Sequence, residues 1–212
     1  MKFITINDNE YPKNLKTIYN PPKGLYVEGN TQLLNEYAVS IIGSRNCSRY
    51  GEIVAKKIAL DLVRNKIIVI SGMAKGIDTH AHIGALIGDG KTIAVLGAGF
   101  NNIYPRENEK LYNKILEKGG AIVSEYSPDE KPIPSHFPER NRIISGLCEK
   151  LIVVEAGERS GTFITVDFAL EQGKEIYAVP GNITSLNSKR NKYANKRRSN
   201  SSDLYRGCIV KF

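Results

Sequence analysis

The stretch AVSIIGSRNCSRYGEIVAKKIALDLVRNKIIVI, residues 38–70, decides the fold. It opens on Ala38–Ile42, turns at Gly43-Ser44-Arg45, and closes on a second apolar run, Ile67–Ile70. Neither run alternates cleanly with polar residues, which suits strands covered on both faces, as in a parallel sheet. Between them the spacing is helical. Val54, Ile58 and Leu62 fall at i, i+4 and i+8 with Ala55 and Ala59 beside them, while Glu52, Lys56, Asp61 and Arg64 take the other faces. Further runs at Thr92–Leu96, Ala121–Ser124, Leu151–Glu155 and Glu175–Val179 repeat the pattern. Strand–helix alternation of this kind predicts an α/β domain over residues 37–185, a doubly wound, mostly parallel sheet with right-handed crossovers.

The flanks read differently. Residues 1–36 are broken by Tyr11-Pro12, Asn20-Pro21-Pro22 and Glu28-Gly29-Asn30, and read as an N-terminal extended arm packed on the main domain. Residues 186–212 hold few large apolar groups and much Lys, Arg, Asn and Ser, so a basic, disordered tail is expected. The net charge of +8 belongs to that tail. Past residue 185 there are eight basic residues against Asp203 alone, which leaves residues 1–185 at +1. A polyanion held by the body must therefore meet a local patch.

Composition excludes several classes. With 41% hydrophobic and 25% charged residues the chain reads as an ordinary globular protein, and no apolar run nears the roughly 20 residues that span a bilayer. Cys47, Cys148 and Cys208 are scattered with no CxxC pair. That argues against a disulfide framework or a zinc site and for a cytoplasmic protein.

Ligands of open α/β sheets bind beyond the carboxyl ends of the strands, near the switch in strand order. Three loops there have anion-binding character. Gly43-Ser44-Arg45 combines close backbone approach, a hydroxyl and a guanidinium fork. Ser71-Gly72-Met73-Ala74-Lys75-Gly76 puts Ser71, Gly72, Lys75 and Gly76 before a helix, without the spacing of a Walker A loop. Ser160-Gly161-Thr162 opens a helix over 163–172 and fits an ordinary cap equally well. Each alone fits a plain turn, and the weight lies in three of them sharing one sheet edge. Arg140-Asn141-Arg142, next to Phe137, adds a basic, aromatic-flanked segment suited to phosphates and a stacked base, or to two solvated arginines at a helix start.

Other patterns carry less. Gly97-Ala98-Gly99 lacks the third glycine of a dinucleotide fingerprint, and Tyr104-Pro105 keeps a helix from opening at once. His80 and His82, two apart, face different ways on a helix, so no metal is expected. Asp78 and His82 stand at i, i+4, as a pair or as a cap. No cofactor is expected.

Read in order, these segments resemble the DNA-processing protein A (DprA/Smf) family. The matching stretches are Tyr11-Pro12, PKGLYVEG (22–29), IIGSR (41–45), SGMAKGIDTHAH (71–82), Val95–Gly99 with Tyr104–Asn108, Ser124-Glu125-Tyr126, FPERNRIISGL (137–147), Glu155 with Ser160–Thr162, and AVPG (178–181). The resemblance implies an extended Rossmann-like domain, not an enzyme, that binds single-stranded DNA, protects it during natural transformation, and helps load the RecA recombinase. It also implies homodimerisation. The residues it singles out for DNA are Gly43, Ser44, Arg45, Ser71, Gly72, Lys75, Gly76, Arg140, Asn141 and Arg142, then Ser160, Gly161 and Thr162.

The alternative is a nucleotide-binding or phosphoribohydrolase-like enzyme with a related fold. Its GGxGTxxE loop is similar to Ser160-Gly161-Thr162, but Thr165 stands where the acid/base glutamate belongs and the double glycine is missing. The resemblance fades past Lys189. Residues 190–199, given permitted codons and shifted by one nucleotide, read Gly-Thr-Asn-Met-Leu-Ile-Lys-Glu-Gly-Ala, which matches the family's pattern at that point. One inserted nucleotide near the Lys189 codon accounts for it.

Overall fold

The structure is a computed structural model that describes residues 1–157 and 160–181 and the backbone of Val210–Lys211. In chain order the strands are β1 (Lys2–Thr5), β2 (Gly24–Gly29), β3 (Ala38–Ile42), β4 (Ile68–Ser71), β5 (Thr92–Leu96), β6 (Ala121–Ser124), β7 (Lys150–Val153), β8 (Glu175–Ala178) and β9 (Val210–Lys211). The helices are α1 (Lys13–Lys16), α2 (Arg49–Arg64), α3 (Ile77–Ile87), α4 (Glu109–Glu117), α5 (His136–Leu147) and α6 (Thr162–Glu171).

Among the described residues the strands form one sheet in the order β1-β2-β6-β5-β4-β3-β7-β8-β9. β6 through β8 in that order are parallel to one another, while β1, β2 and β9 run antiparallel at the margins. The expected α/β class and mostly parallel sheet are borne out. β3 and β5 are buried at all five positions, as their unalternating sequences require. The chain leaves β3 for β4 on one side and later returns to β7 on the other. Strand order therefore reverses at β3, and a crevice opens beyond its carboxyl end.

Two layers of helix cover the sheet. On one face α2 and α3 cover β3, β4 and β7, where Ala55, Ala59, Leu62, Ala81 and Ala85 meet Val39, Ile41, Val69 and Ile152. α4 continues this layer over Ala94, Leu96 and Ile122. The α2–α3 crossing is close because position 84 has no side chain. A Cβ on Gly84 would stand 2.4 Å from the Lys56 carbonyl oxygen. α2 starts at Ser48, whose Oγ accepts the Gly51 N–H at 3.1 Å. On the other face, α1, α5 and α6 pack Leu15, Ile143, Ile144, Leu147 and Ala169 on Ile42, Ile70, Val95 and Val153.

The first 36 residues lie on the domain as more than an arm. β1 and β2 form a hairpin that extends the sheet past β6, and Leu25, Val27, Leu33 and Leu34 join the α5-side core. Tyr11 Oη donates to the Pro22 carbonyl at 2.6 Å and ties the connection to the hairpin. At the opposite margin Val210–Lys211 pairs with Tyr177 and Ala178. The rest of the basic tail, and with it the proposed shift of frame, lies outside the described residues. Among the described residues no helix is long and apolar enough to cross a membrane.

Candidate nucleic-acid interface

The crevice beyond β3 is a cavity of about 460 Å³. The loop after β3 supplies Gly43, Ser44, Arg45 and Asn46, and the start of α5 supplies Phe137, Arg140 and Asn141. The loop after β7 and the start of α6 supply Gly157, Ser160, Gly161, Thr162 and Thr165. A smaller cavity of about 50 Å³ adjoins it, walled by Arg45, Gly72, Lys75, Tyr104, Phe137 and Arg140.

The two loops after β3 and β4 are interlocked. Gly76 has φ +74°, and a Cβ there would stand 2.3 Å from the Ser44 carbonyl oxygen. The Ile77 N–H donates to that same oxygen at 3.2 Å. Position 76 thus needs glycine twice over, for its left-handed backbone and for contact with the neighbouring loop. Gly43 is similar in part, since a Cβ there would stand 2.6 Å from Ile77 and 2.9 Å from the Glu155 carbonyl oxygen. The Ser44 N–H is occupied by that Glu155 carbonyl at 2.7 Å. Ser44 Oγ accepts the Asn46 N–H at 3.1 Å, which leaves its hydroxyl hydrogen and a second lone pair to meet a ligand.

Arg45 is exposed, with its guanidinium 5.8 Å from the centre of the Phe137 ring. Tyr104 extends the aromatic surface at 5.4 Å from Phe137, and Phe137 itself packs on Gly97, where a Cβ would stand 2.9 Å from its ring. Lys75 is also exposed and forms an ion pair with Glu107 at 2.6 Å.

Arg140 and Arg142 are not solvated arms. Arg140 is 4% exposed; its Nη1 donates to the carbonyls of Gly72, at 2.6 Å, and Val95. A Cβ on Gly72 would collide with this guanidinium and with the Asp78 carboxylate, so the glycine is needed for the packing. Burial pulls Arg140 down to about 10 and pushes Asp78 up to about 6, while each opposes the other's shift electrostatically. Arg142 leaves the crevice altogether. It is 5% exposed, pairs with Glu125 at 2.8 Å and donates to the Asn20 carbonyl at 2.9 Å, anchoring the segment before β2. The helical turn of α5 explains both, because α5 lies against the sheet on one side and against residues 20–24 on another. Ser71 is likewise internal, its hydroxyl donating to the Ile41 carbonyl at 2.7 Å across the β3–β4 seam.

At the α6 entry Ser160 Oγ accepts the Thr162 N–H at 3.2 Å and lies 2.6 Å from Thr162 Oγ1, a local turn that leaves Gly161 exposed at the mouth. Residues 158 and 159 of this loop lie outside the described residues. Thr165, at the position of the enzymes' glutamate, is on the cavity wall and 2% exposed. Glu155 is nearby but committed, accepting Ser48 N–H at 2.8 Å and the Ser48 hydroxyl.

Of the expected residues, Gly43, Ser44, Arg45, Arg140, Asn141, Ser160, Gly161 and Thr162 line the large cavity. Gly72 and Lys75 line the small one, Gly76 braces them from behind, and Ser71 and Arg142 face elsewhere. Asp78 and Tyr104 line these cavities without having been expected to meet a ligand. The sequence offers Asp78 only as a partner of His82 at i, i+4 or as a cap, and Tyr104 only as the residue before a proline. Asp78 does not pair with His82, whose Nδ1 lies 2.8 Å from the Thr92 hydroxyl. Thr92 in turn donates to the Val69 carbonyl, so the imidazole Nδ1 is the donor to Thr92. The Gly97–Gly99 turn packs on residues 127–130, with Gly99 N–H donating to the Glu130 carbonyl at 2.9 Å. Among the described residues no group of three His, Cys, Asp or Glu is placed to hold a metal.

DNA processing protein DprA of Streptococcus pneumoniae is 45% identical over 180 residues, 85% of this chain and 63% of that protein. The chain thus spans about three fifths of that relative's length. The X-ray structure of the pneumococcal protein superposes with a TM-score of 0.86 at 42% identity, covering 91% of this chain and 68% of that one. DNA processing protein A of Helicobacter pylori, whose structure is described for its single-stranded DNA binding mode, gives 0.81 at 29% identity over 92% and 88%. The resemblance drawn from the sequence is borne out. A family described as DNA recombination-mediator protein A matches residues 2–202, and the chain belongs to that family.

Proposed function

We propose that this chain binds single-stranded DNA with little sequence preference, without catalysing a reaction on it, in the processing of strands taken up during natural transformation. The observation that carries this is the crevice at the strand-order switch, where an exposed Arg45 stands over Phe137 at the mouth of a recess of about 460 Å³. A guanidinium at the rim meets phosphate, an aromatic face stacks an unpaired base, and a recess admits a base that a duplex keeps stacked. The likeness to the Helicobacter pylori protein supports the same polymer as ligand. The nearby carboxylates have other work: Glu155 holds the start of α2, and Asp78 accepts the Ala74 N–H and faces Arg140.

Within this reading the DNA-bound protein hands its strand to a RecA-type recombinase and works as a homodimer in the cytoplasm. Titrating a fluorescent poly-dT strand of about 20 nucleotides should give submicromolar affinity, at least tenfold tighter than the matching duplex. Equal affinity for the two would refute it. AMP incubated with the protein should release no ribose phosphate, and light scattering should report two chains.

A further inference from the structure

We propose that Glu107 is a competitor anion built into the interface: its carboxylate neutralises Lys75 and withholds it from a nucleic-acid phosphate. This inference rests on the DNA-binding reading of the crevice. Lys75 projects from the β4–α3 loop at the small cavity that adjoins the DNA crevice. Its Nζ lies 2.6 Å from Glu107 Oε1, with both side chains more than half exposed.

The pair is held together by more than its own attraction. Glu107 lies on a single 3-10 turn, Arg106–Asn108. The next residue, Asn108, is 6% exposed and donates from Nδ2 to the Met73 carbonyl at 2.8 Å and to Thr79 Oγ1 at 2.9 Å. Met73 and Lys75 belong to one loop, so a buried clamp fixes the carboxylate beside the lysine it neutralises. An exposed ion pair of this kind is weak and screened by salt, so removing the carboxylate frees Lys75 at little cost to stability. With Glu107 in place, Lys75 adds no net charge at the interface. One of the basic groups then contributes little to the counterion release that drives binding.

The test is a titration of a fluorescent poly-dT strand of about 20 nucleotides at 50, 100 and 200 mM salt. Wild type, Glu107→Gln, and the double variant Lys75→Gln/Glu107→Gln are compared, with melting temperatures checked for each. Glu107→Gln should bind at least threefold tighter at 50 mM, and its slope of log K against log salt should steepen by about 0.7, the increment for one more phosphate neutralised. The double variant, which like wild type carries no net charge at the pair, should return to within twofold of wild type. Glu107→Gln with wild-type affinity or wild-type slope would overturn the inference, as would a double variant as tight as Glu107→Gln, since Lys75 would then be uninvolved. A merely structural glutamate would lower the melting temperature and leave the slope alone. A wild type that ignores the strand, no differently from Arg45→Ala, overturns the functional reading and this inference with it. A binding wild type with an indistinguishable Glu107→Gln removes this inference only.

Discussion

Arg45 and Arg140 line the same crevice with the same charge, and their environments give them opposite roles. Arg45 is solvated, so Arg45→Ala should weaken single-strand binding by about 1–2 kcal/mol with the melting temperature nearly unchanged. Unaltered affinity would return it to an ordinary turn. Arg140→Ala should instead cost about 3–5 kcal/mol of stability, read as a fall in the urea midpoint, because it leaves buried carbonyls and the Asp78 carboxylate without their partner. A loss under 1 kcal/mol would contradict that. Spacing could not separate the two arginines, since which side of α5 meets the sheet is set by the whole packing. Two buried titrating groups nearby pull stability in opposite directions with pH. Asp78 is raised from 3.8 to about 6, so its contribution is complete below pH 3.8 and is lost as pH rises through about 6. Burial lowers His82 from 6.5 to about 3, so its contribution is present above pH 6.5 and is lost as pH falls toward 3. Between about pH 4.5 and 6 they offset, and Asp78→Asn should expose the His82 slope as a urea midpoint that drops more steeply on acidification than in wild type. Identical slopes would refute the assignment.

At the scale of elements, β3, β5 and β6 coincide with the runs read from sequence, because a strand buried on both faces leaves an unmistakable apolar block. β4 is displaced by one residue, and β7 starts one residue before the run read from sequence and ends two residues short of it, because Ser71 and Lys150 take part in the ladder despite their polarity. The N-terminal strands were illegible for the opposite reason. β1 and β2 sit at a margin, partly exposed and separated by Pro12, Pro21 and Pro22, so they read as an arm until β6 supplies the partner. Close helix contact was equally hidden, since glycine within α3 signals nothing by itself. Gly84→Val should destabilise the protein by about 1–3 kcal/mol, measured by chemical denaturation, by forcing α3 off the Lys56 carbonyl. A stable, wild-type-like variant would mean that the two helices are free to separate.

For the molecule as a whole, charge and interface are separately located. The excess charge follows residue 185, whereas the crevice belongs to a nearly neutral body. Removing 186–212 should therefore flatten the salt dependence of DNA binding while preference for single strands persists, as paired single-strand and duplex titrations would show. Loss of that preference would move the interface into the tail. The sheet's connectivity also bears on how the chain is made. β2, ending at Gly29, pairs on one side with β6, which begins at Ala121, so roughly 90 residues separate the partners. A ribosome adding about 5–20 residues per second needs roughly 5–20 s to cover that distance. Throughout that interval the hairpin carries Leu25 and Val27 with one edge open, the kind of nascent surface that holding chaperones recognise.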